Sequence, residues 1–401
     1  MTKIVDIEDI RKKREKKEIG IPIENINKKE LKRRGHEIGD ILGCDEKGEE
    51  ICVRKGKGNL YVDGDMEKEQ LFDFMRSQIY QNIQRGDSMV IVDLGSRIYK
   101  RELWIYLTIH GYRVDSYNMD CMTESDCFNC LDGLGAENEE QIVMIANDII
   151  DDQKYKFMTY PVETACKALL SAVLLASLTE MEESDRNMLE IATIFRLGVS
   201  GTMLDKILHV MFEELDETSS AKQLFAMYSE AEEGIRMEAI QKIGNALAVY
   251  EKRANGSLCD NFRTNRYDME MPVKEKSVLF IESGQLPEDK VLFSVFMERL
   301  YDSMLKKAEE RQQDVTVMLL DYPYYGGLCG LEKYMEEGPE KGICTTLYED
   351  DRKLDGSGYA PHLVELYSLC DISVCIKDTE IPLCEIEKCE NPVTGECSKR
   401  K

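Results

Sequence analysis

The chain has 401 residues, 43% of them hydrophobic, and a formal net charge of −25. That length supports one large or two medium domains with real cores, and so acidic a chain is excluded as a protein that wraps nucleic acid along its whole length. Fourteen cysteines behind a charged start, MTKIVDIEDIRKKREKK, with no export signal, read as free thiols of a reducing cytoplasm.

In chain order, residues 1–35 hold 12 Lys+Arg against 7 Asp+Glu and read as an exposed basic arm, helical in pieces. NLYVDG (Asn59–Gly64) reads as a strand and turn, and Glu67–Arg85 as an amphipathic helix with apolar residues at Leu71, Phe74, Met75, Ile79 and Ile83. SMVIVDLGS (Ser88–Ser96) is a buried strand. A helix follows and closes at Gly111, and Tyr112–Asp120 is another strand. This alternation is the βαβ signature of a parallel sheet. From about Glu139 to Arg253 the pattern is helical. Its longest apolar run, Ala168–Leu178, falls short of the ~20 residues that a bilayer needs. Strands return at Lys276–Ser283, Val315–Asp321, Gly342–Glu349 and Asp371–Asp378, with a long amphipathic helix at Glu288–Glu310. The expected organisation is a basic arm (1–42), a discontinuous α/β domain (43–138 and 255–383), an all-α insertion (139–254) and a polar tail (384–401).

Several stretches carry a resemblance. SMVIVDLGSRIYKRELWIYLTIHGYRVDSYNMD, SDCFNCL (Ser125–Leu131), ETACKALLSAVLLASL and VTVMLLDYPYYGGLCGLEKYMEEGPEKGICTTLYEDDRKL occur in the order of the type IV secretion coupling proteins of the conjugative TraG/TraD kind. The chain resembles that family from about Asn59 to Lys377. The resemblance implies a RecA-like, mainly parallel sheet flanked by helices, with an inserted all-α domain. It also implies a role in bringing substrates to a transfer channel, in a family that forms hexamers around ATP and often carries an N-terminal membrane anchor. Departures are specific. Asp93 keeps the family's acid, but Leu94, Gly95, Ser96 and Arg97 replace the residues that follow it. Tyr322 stands where a Glu follows the second acid, Asp321, and Glu349 lies near a Gln position.

The phosphate loop is the sharpest departure. The family places G-x-x-x-x-G-K-[ST] after the strand matched by NLYVDG. Its glycines let backbone N–H groups surround phosphate, while its Lys and hydroxyl serve the γ-phosphate and Mg²⁺. This chain has GDMEKEQL: Gly64 is kept, while Glu69, Gln70 and Leu71 replace the Gly, Lys and hydroxyl residue. Asp65, Glu67 and Glu69 suit a helix N-terminus but repel a triphosphate. Lys68 reads as a displaced Lys reaching inward or, the commoner case, as a surface lysine on an amphipathic helix. GKGN (Gly56–Asn59) precedes the strand and lacks the loop spacing. Phosphoryl transfer depends on positioning and charge neutralisation by the missing parts. The remnant Gly64, Asp65, Lys68, Asp93 and Asp321 is therefore read as degenerate, with no catalytic residue and neither ATP nor Mg²⁺ as cofactor. Asp321 also reads as an ordinary acid ending a buried strand.

Among other candidates, Cys127 and Cys130 form a CxxC without a second pair, so no metal site is expected. Tyr322, Tyr324 and Tyr325 read either as aromatic packing in a Pro/Gly turn or as a partner contact. The expected function is a non-catalytic component of a conjugative system, docking a relaxase, protein cargo or an intact coupling protein. DNA contact is expected only through the basic arm, and the location is cytoplasmic, with recruitment to the inner membrane face. The alternative is a divergent ATPase that drives transfer from an unconventional nucleotide site.

Overall fold

The computed structural model describes residues 23–27, 41–44, 50–54, 57–64, 68–94, 98–119, 121, 125–151, 158–196, 201–254, 262–283, 289–320, 328, 330–350 and 366–375. Its elements in chain order begin with β1 (Ile23–Asn27), β2 (Ile41–Cys44), β3 (Glu50–Arg54), β4 (Leu60–Gly64), α1 (Lys68–Arg85), β5 (Ser88–Leu94), α2 (Ile98–Ile109) and β6 (Arg113–Asn118). A helical stretch follows with α3 (Glu139–Asp151), α4 (Tyr160–Glu180), α5 (Met188–Arg196), α6 (Gly201–Glu213), α7 (Ser220–Ser229), α8 (Glu233–Arg253) and α9 (Met271–Lys274). Then come β7 (Ser277–Ser283), α10 (Asp289–Lys307), β8 (Val315–Leu320), α11 (Leu331–Glu337), β9 (Ile343–Asp350) and β10 (Ile372–Cys375).

The chain divides into two compact units. The first is Met1–Asp115, Glu270–Ile281 and Tyr301–Lys401, and the second is Ser116–Met269 and Glu282–Leu300. The main sheet has seven strands in the order β10-β4-β9-β8-β5-β7-β6, and the pairs β10–β4, β4–β9, β9–β8 and β8–β5 run parallel. Met89 to Val92 of β5 and Val317 to Leu319 of β8 are buried without the polar alternation of a half-exposed strand. Such near-continuous apolar text belongs to strands covered on both faces. The core of the first unit gathers Phe74, Ile79 and Ile83 of α1, Leu103 and Leu107 of α2, and Met89, Ile91, Val278, Phe280, Met318 and Tyr348 of the sheet. Helices α1 and α2 both end at a left-handed glycine, Gly86 (φ +82) and Gly111 (φ +79). Asp87 N–H bonds Asn82 O at 3.0 Å and Tyr112 N–H bonds Leu107 O at 3.1 Å, closing the last turn of each helix before the next strand.

A second, antiparallel sheet, β1-β3-β2, pairs Ile26 with Ile51 and Cys44 with Ile51. Its first strand corrects the reading of the 1–35 arm as helical only at Ile23–Asn27. The local text Ile23-Glu24-Asn25-Ile26-Asn27 pairs as a strand, and a charge tally over 35 residues hides it. The basic runs at 1–22 and 28–40 lie outside the described residues, as does the tail 384–401.

The second unit is built around α4, whose residues Leu169, Leu170, Ala172 and Leu174 are fully buried. This is the one helix among the described residues long and apolar enough to cross a membrane, yet 72% of its apolar window is buried inside the protein, as in a core helix. Helices α6, α7 and α8 meet at a buried polar knot. Arg236 Nη2 bonds Asp205 Oδ2 at 3.1 Å, and Tyr228 Oη donates to Asp205 Oδ1 at 2.7 Å. Partial burial raises the Asp205 carboxyl, but these hydrogen bonds and the Arg236 charge prevail and hold it below its ordinary value. Elsewhere in this unit Tyr117 of β6 stacks on Phe296 of α10, with centroids 4.0 Å apart, and Phe128 meets Phe296 edge-on at 4.8 Å.

The GKGN stretch is an anchor for the first unit. Asn59 is buried, and its amide is fully used. Nδ2 donates to Met335 O at 2.5 Å and Leu369 O at 3.2 Å, and Oδ1 accepts from Thr345 N at 2.9 Å. Its backbone N–H donates to Asp371 Oδ2 at 2.8 Å. The Asn59 side chain thus ties the start of β4 to β9, to α11 and to the turn before β10, its backbone reaches Asp371, and a Cβ on Gly58 would collide with the Asp371 carboxylate. Asn59→Leu leaves one buried N–H and two carbonyls without their partner. It should cost about 2–3 kcal/mol, read as a lower urea midpoint with an unchanged denaturant slope.

Candidate functional site

Open α/β sheets bind ligands at the carboxyl ends of their strands, so that edge of the first unit is the candidate site. β4 ends at Asp63 and Gly64, which pair with Glu349 and Asp350 at the end of β9, while Asp63 also pairs with Cys375 of β10. β8 ends at Leu320, level with Tyr348. On the other side of β8, Val92 pairs with Leu319, so Asp93 stands beside the end of β8. The edge therefore carries Asp63, Asp93, Glu349 and Asp350, and the last two positions of β4, β5, β8, β9 and β10 include no Lys or Arg.

Of the residues singled out in the sequence, Gly64 is the last residue of β4 and Lys68 the first of α1. Asp93 is 2% exposed, one residue before the end of β5. Two strands, β9 and β8, separate Gly64 from Asp93 in the sheet, a spacing of roughly 14 Å at ~4.8 Å per strand. Asp65, Asp321, Tyr322, Tyr324 and Tyr325 lie outside the described residues. Glu69, Gln70 and Leu71 fall in the first turn of α1, the helix that begins three residues after β4. Cys127 and Cys130 are buried free thiols, and burial pushes the Cys130 thiol up to about 12, away from the thiolate that metal binding or nucleophilic chemistry requires.

The opposite, amino-terminal edge is built differently. Lys57 Nζ lies 2.6 Å from Asp87 Oδ1 and 2.9 Å from Asp314 Oδ2. Arg85 Nε lies 2.7 Å from Asp87 Oδ2, and Arg311 Nε lies 3.1 Å from Asp314 Oδ1. Arg85 also donates to Asn82 Oδ1 at 2.6 Å, which accepts from Thr316 Oγ1 at 3.1 Å. The buried Tyr112 hydroxyl donates to Asp87 O at 2.9 Å, and burial followed by the Asp87 charge raises it above the ordinary tyrosine range. Sequence reading missed this network. Its members are scattered from position 57 to position 314, and the one local signal, the lysine of GKGN, carries no spacing rule.

No family model and no curated protein sequence matches the chain. Among solved structures it is similar to the bacterial conjugative coupling protein TrwBdeltaN70 in its unbound monoclinic form, at a TM-score of 0.59 and 14% identity, covering 88% of this chain and 78% of that one. It is also similar to TrwB in complex with the non-hydrolysable ATP analogue ADPNP, at a TM-score of 0.58 and 15% identity over 87% of this chain and 77% of that one. The ADP and Mg²⁺ complex of TrwB superposes equally, at 0.58 and 14% identity over 87% and 78%. The shared property at this identity is the fold, a RecA-like mainly parallel sheet flanked by helices.

The amino-edge network has a pH signature. Partial burial raises the Asp314 carboxyl, but hydrogen bonds and charge from Lys57 and then Arg311 outweigh it and hold the group below the ordinary carboxylate value. A carboxylate lowered on folding stabilises the fold above its unfolded pKa, about 3.9, and loses that contribution as pH falls through the folded value. Thermal midpoints measured from pH 5 down to pH 2 should therefore fall less steeply in Asp314→Asn than in the native chain, with the gap between the two curves constant above about pH 4 and closing below it.

Proposed function

We propose that this chain, built on the fold of the conjugative coupling proteins, is a non-catalytic component of a conjugative or type IV secretion system. In this reading the scaffold serves as a docking platform for a transfer substrate or for a catalytically intact coupling protein. One observation carries the reading: where a phosphate loop would open its helix, the first turn of α1 holds Glu69, Gln70 and Leu71. The donor set at the sheet's carboxyl edge agrees with it. A triphosphate needs backbone N–H groups free of side-chain obstruction, a lysine and a Mg²⁺ hydroxyl. Asp63, Asp93, Glu349 and Asp350 supply acids in place of cations. In this reading the described residues of that edge offer no cation to a nucleotide.

The fold supports placing the chain in this class of machinery, since TrwB is a conjugative coupling protein that takes up ADPNP and ADP with Mg²⁺. The likeness extends over 87% of this chain while the residues of the phosphate loop differ. A scaffold of this fold without phosphate ligands would be suited to presenting surfaces to partners.

Titrating the full chain with a fluorescent ATP analogue and Mg²⁺ tests this. Saturable binding should be absent through the micromolar range, and Asp321→Ala should change nothing. Micromolar binding that weakens at least about tenfold in Asp321→Ala, the equivalent of losing one charge-assisted contact, would overturn the proposal in favour of a divergent ATPase.

A further inference from the structure

We propose that Ser125–Asn129 is a strap that holds the outer edge of β6 closed to strand addition by another chain. β6 is the last strand in the order of the main sheet, and among the described residues no strand pairs with its outer side. Along a strand, successive residues direct their backbone groups to opposite sides. Arg113 N–H donates to Lys276 O at 3.1 Å and Met119 N–H to Glu282 O at 2.9 Å, so the odd positions of β6 face the β7 side. Ser116 and Asn118 therefore direct their groups outward. A row of such groups at a sheet edge is a template for a further strand.

The strap takes those groups. Asp126 N–H donates to Ser116 O at 2.9 Å, and Ser116 N–H donates to Asp126 Oδ2 at 3.3 Å. Asn118 N–H donates to Ser125 Oγ at 3.0 Å, and that hydroxyl donates to Asp126 O at 3.1 Å. One backbone N–H and two side-chain oxygens thus stand where a neighbouring strand would place its own backbone. Ser116 and Asn118 are buried, so their groups need these partners. Ser125 and Asp126 are only half-buried, which leaves the strap at the surface where a strand would arrive.

The rest of the strap is fixed within the same unit. Phe128 meets Tyr117 edge-on at 5.9 Å and Phe296 at 4.8 Å. Cys127 O accepts from Arg266 N–H at 3.1 Å. Asn129 Nδ2 donates to Arg186 O at 2.8 Å, and its Oδ1 accepts from Leu131 N–H at 3.1 Å. The polar residues of SDCFNCL, a run that the proposed function leaves unused, are the ones that close the strap and anchor it. This inference does not rest on the coupling-protein reading, so either can fail alone.

Amide hydrogen exchange and sedimentation of the full chain test the strap. In the native chain the Ser116 and Asn118 amides should be protected although they face outward. In Ser125→Ala with Asp126→Ala they should exchange at least about tenfold faster, while the Arg113 and Met119 amides keep their native rates. In about 0.5 M salt, which screens the repulsion between acidic copies, the double variant should sediment faster as its concentration rises. Ser116 and Asn118 should regain protection in the associated form. Asp126→Asn keeps a carbonyl acceptor and should behave as the native chain. Ser125→Ala alone removes only the acceptor of Asn118, so it should speed Asn118 and spare Ser116, and it carries the exchange test if the double variant does not fold. Equal acceleration of all four amides overturns the proposal, because it reports a loosened strand and not an opened edge. Unprotected Ser116 and Asn118 amides in the native chain overturn it too, as does a double variant that opens without associating or associates without covering those two amides.

Discussion

Met89 to Val92 on β5 and Val317 to Leu319 on β8 are covered on both faces of the sheet, so their backbone N–H and C=O groups have no route to water. They must be satisfied by neighbouring strands. The parallel pairing of β4, β9, β8 and β5 does this, with Val90 beside Val317 and Met318 beside Thr346. Parallel strands cannot be joined by tight turns, so each returns through a crossover element. Helices α1 and α2 then lie against the sheet with Phe74, Ile79, Leu103 and Leu107 inward. Polar and charged residues are displaced to the two ends of the strands, and those ends differ.

At the amino ends, acids and bases alternate. Lys57 joins Asp87 and Asp314, and arginines on α1 and after α10 complete the two pairs. Asp87 and Asp314 each have cations within hydrogen-bonding distance, while Asp371 accepts from the Asn59 backbone, and the Asn59 side chain adds an uncharged clamp onto α11 and β9. At the carboxyl ends of the same strands the acids stand without lysine or arginine among the terminal strand residues. An active phosphate site needs the reverse, a concentration of N–H donors and cations. The two ends of one sheet thus differ in the charge of the residues placed there.

The helical unit follows a different logic. The apolar text of α4 is long enough to raise the question of a membrane span, and burial among the other helices of that unit answers it for this structure. The Asp205–Arg236–Tyr228 knot pins three helices through charge-assisted hydrogen bonds in a partly buried setting. Removing one partner from such a knot is costly because it strands the others.

The order of strands and helices was legible in the sequence because periodicity is local. Ser88–Ser96 and Val315–Asp321 read as buried strands from their apolar runs, and Gly111 marked the end of a helix through its freedom at positive φ. The helix that carries Glu69, Gln70 and Leu71 was equally legible from its apolar periodicity. The strand Ile23–Asn27 was not, because its pairing with β3 lies across some 25 residues and the surrounding charge dominates the count. Helix α11 was likewise missed, a single short segment after a Tyr- and Gly-rich stretch of sequence. By itself the sequence determined the alternation of elements and the doubly buried strands, both properties of neighbours along the chain. Only the tertiary structure decided that Lys57 would bridge Asp87 and Asp314, that Asn59 would clamp β4 onto α11 and β9, and that Trp104, Ile105 and Ile109 would face solvent. Each depends on contacts, or their absence, between residues far apart in sequence.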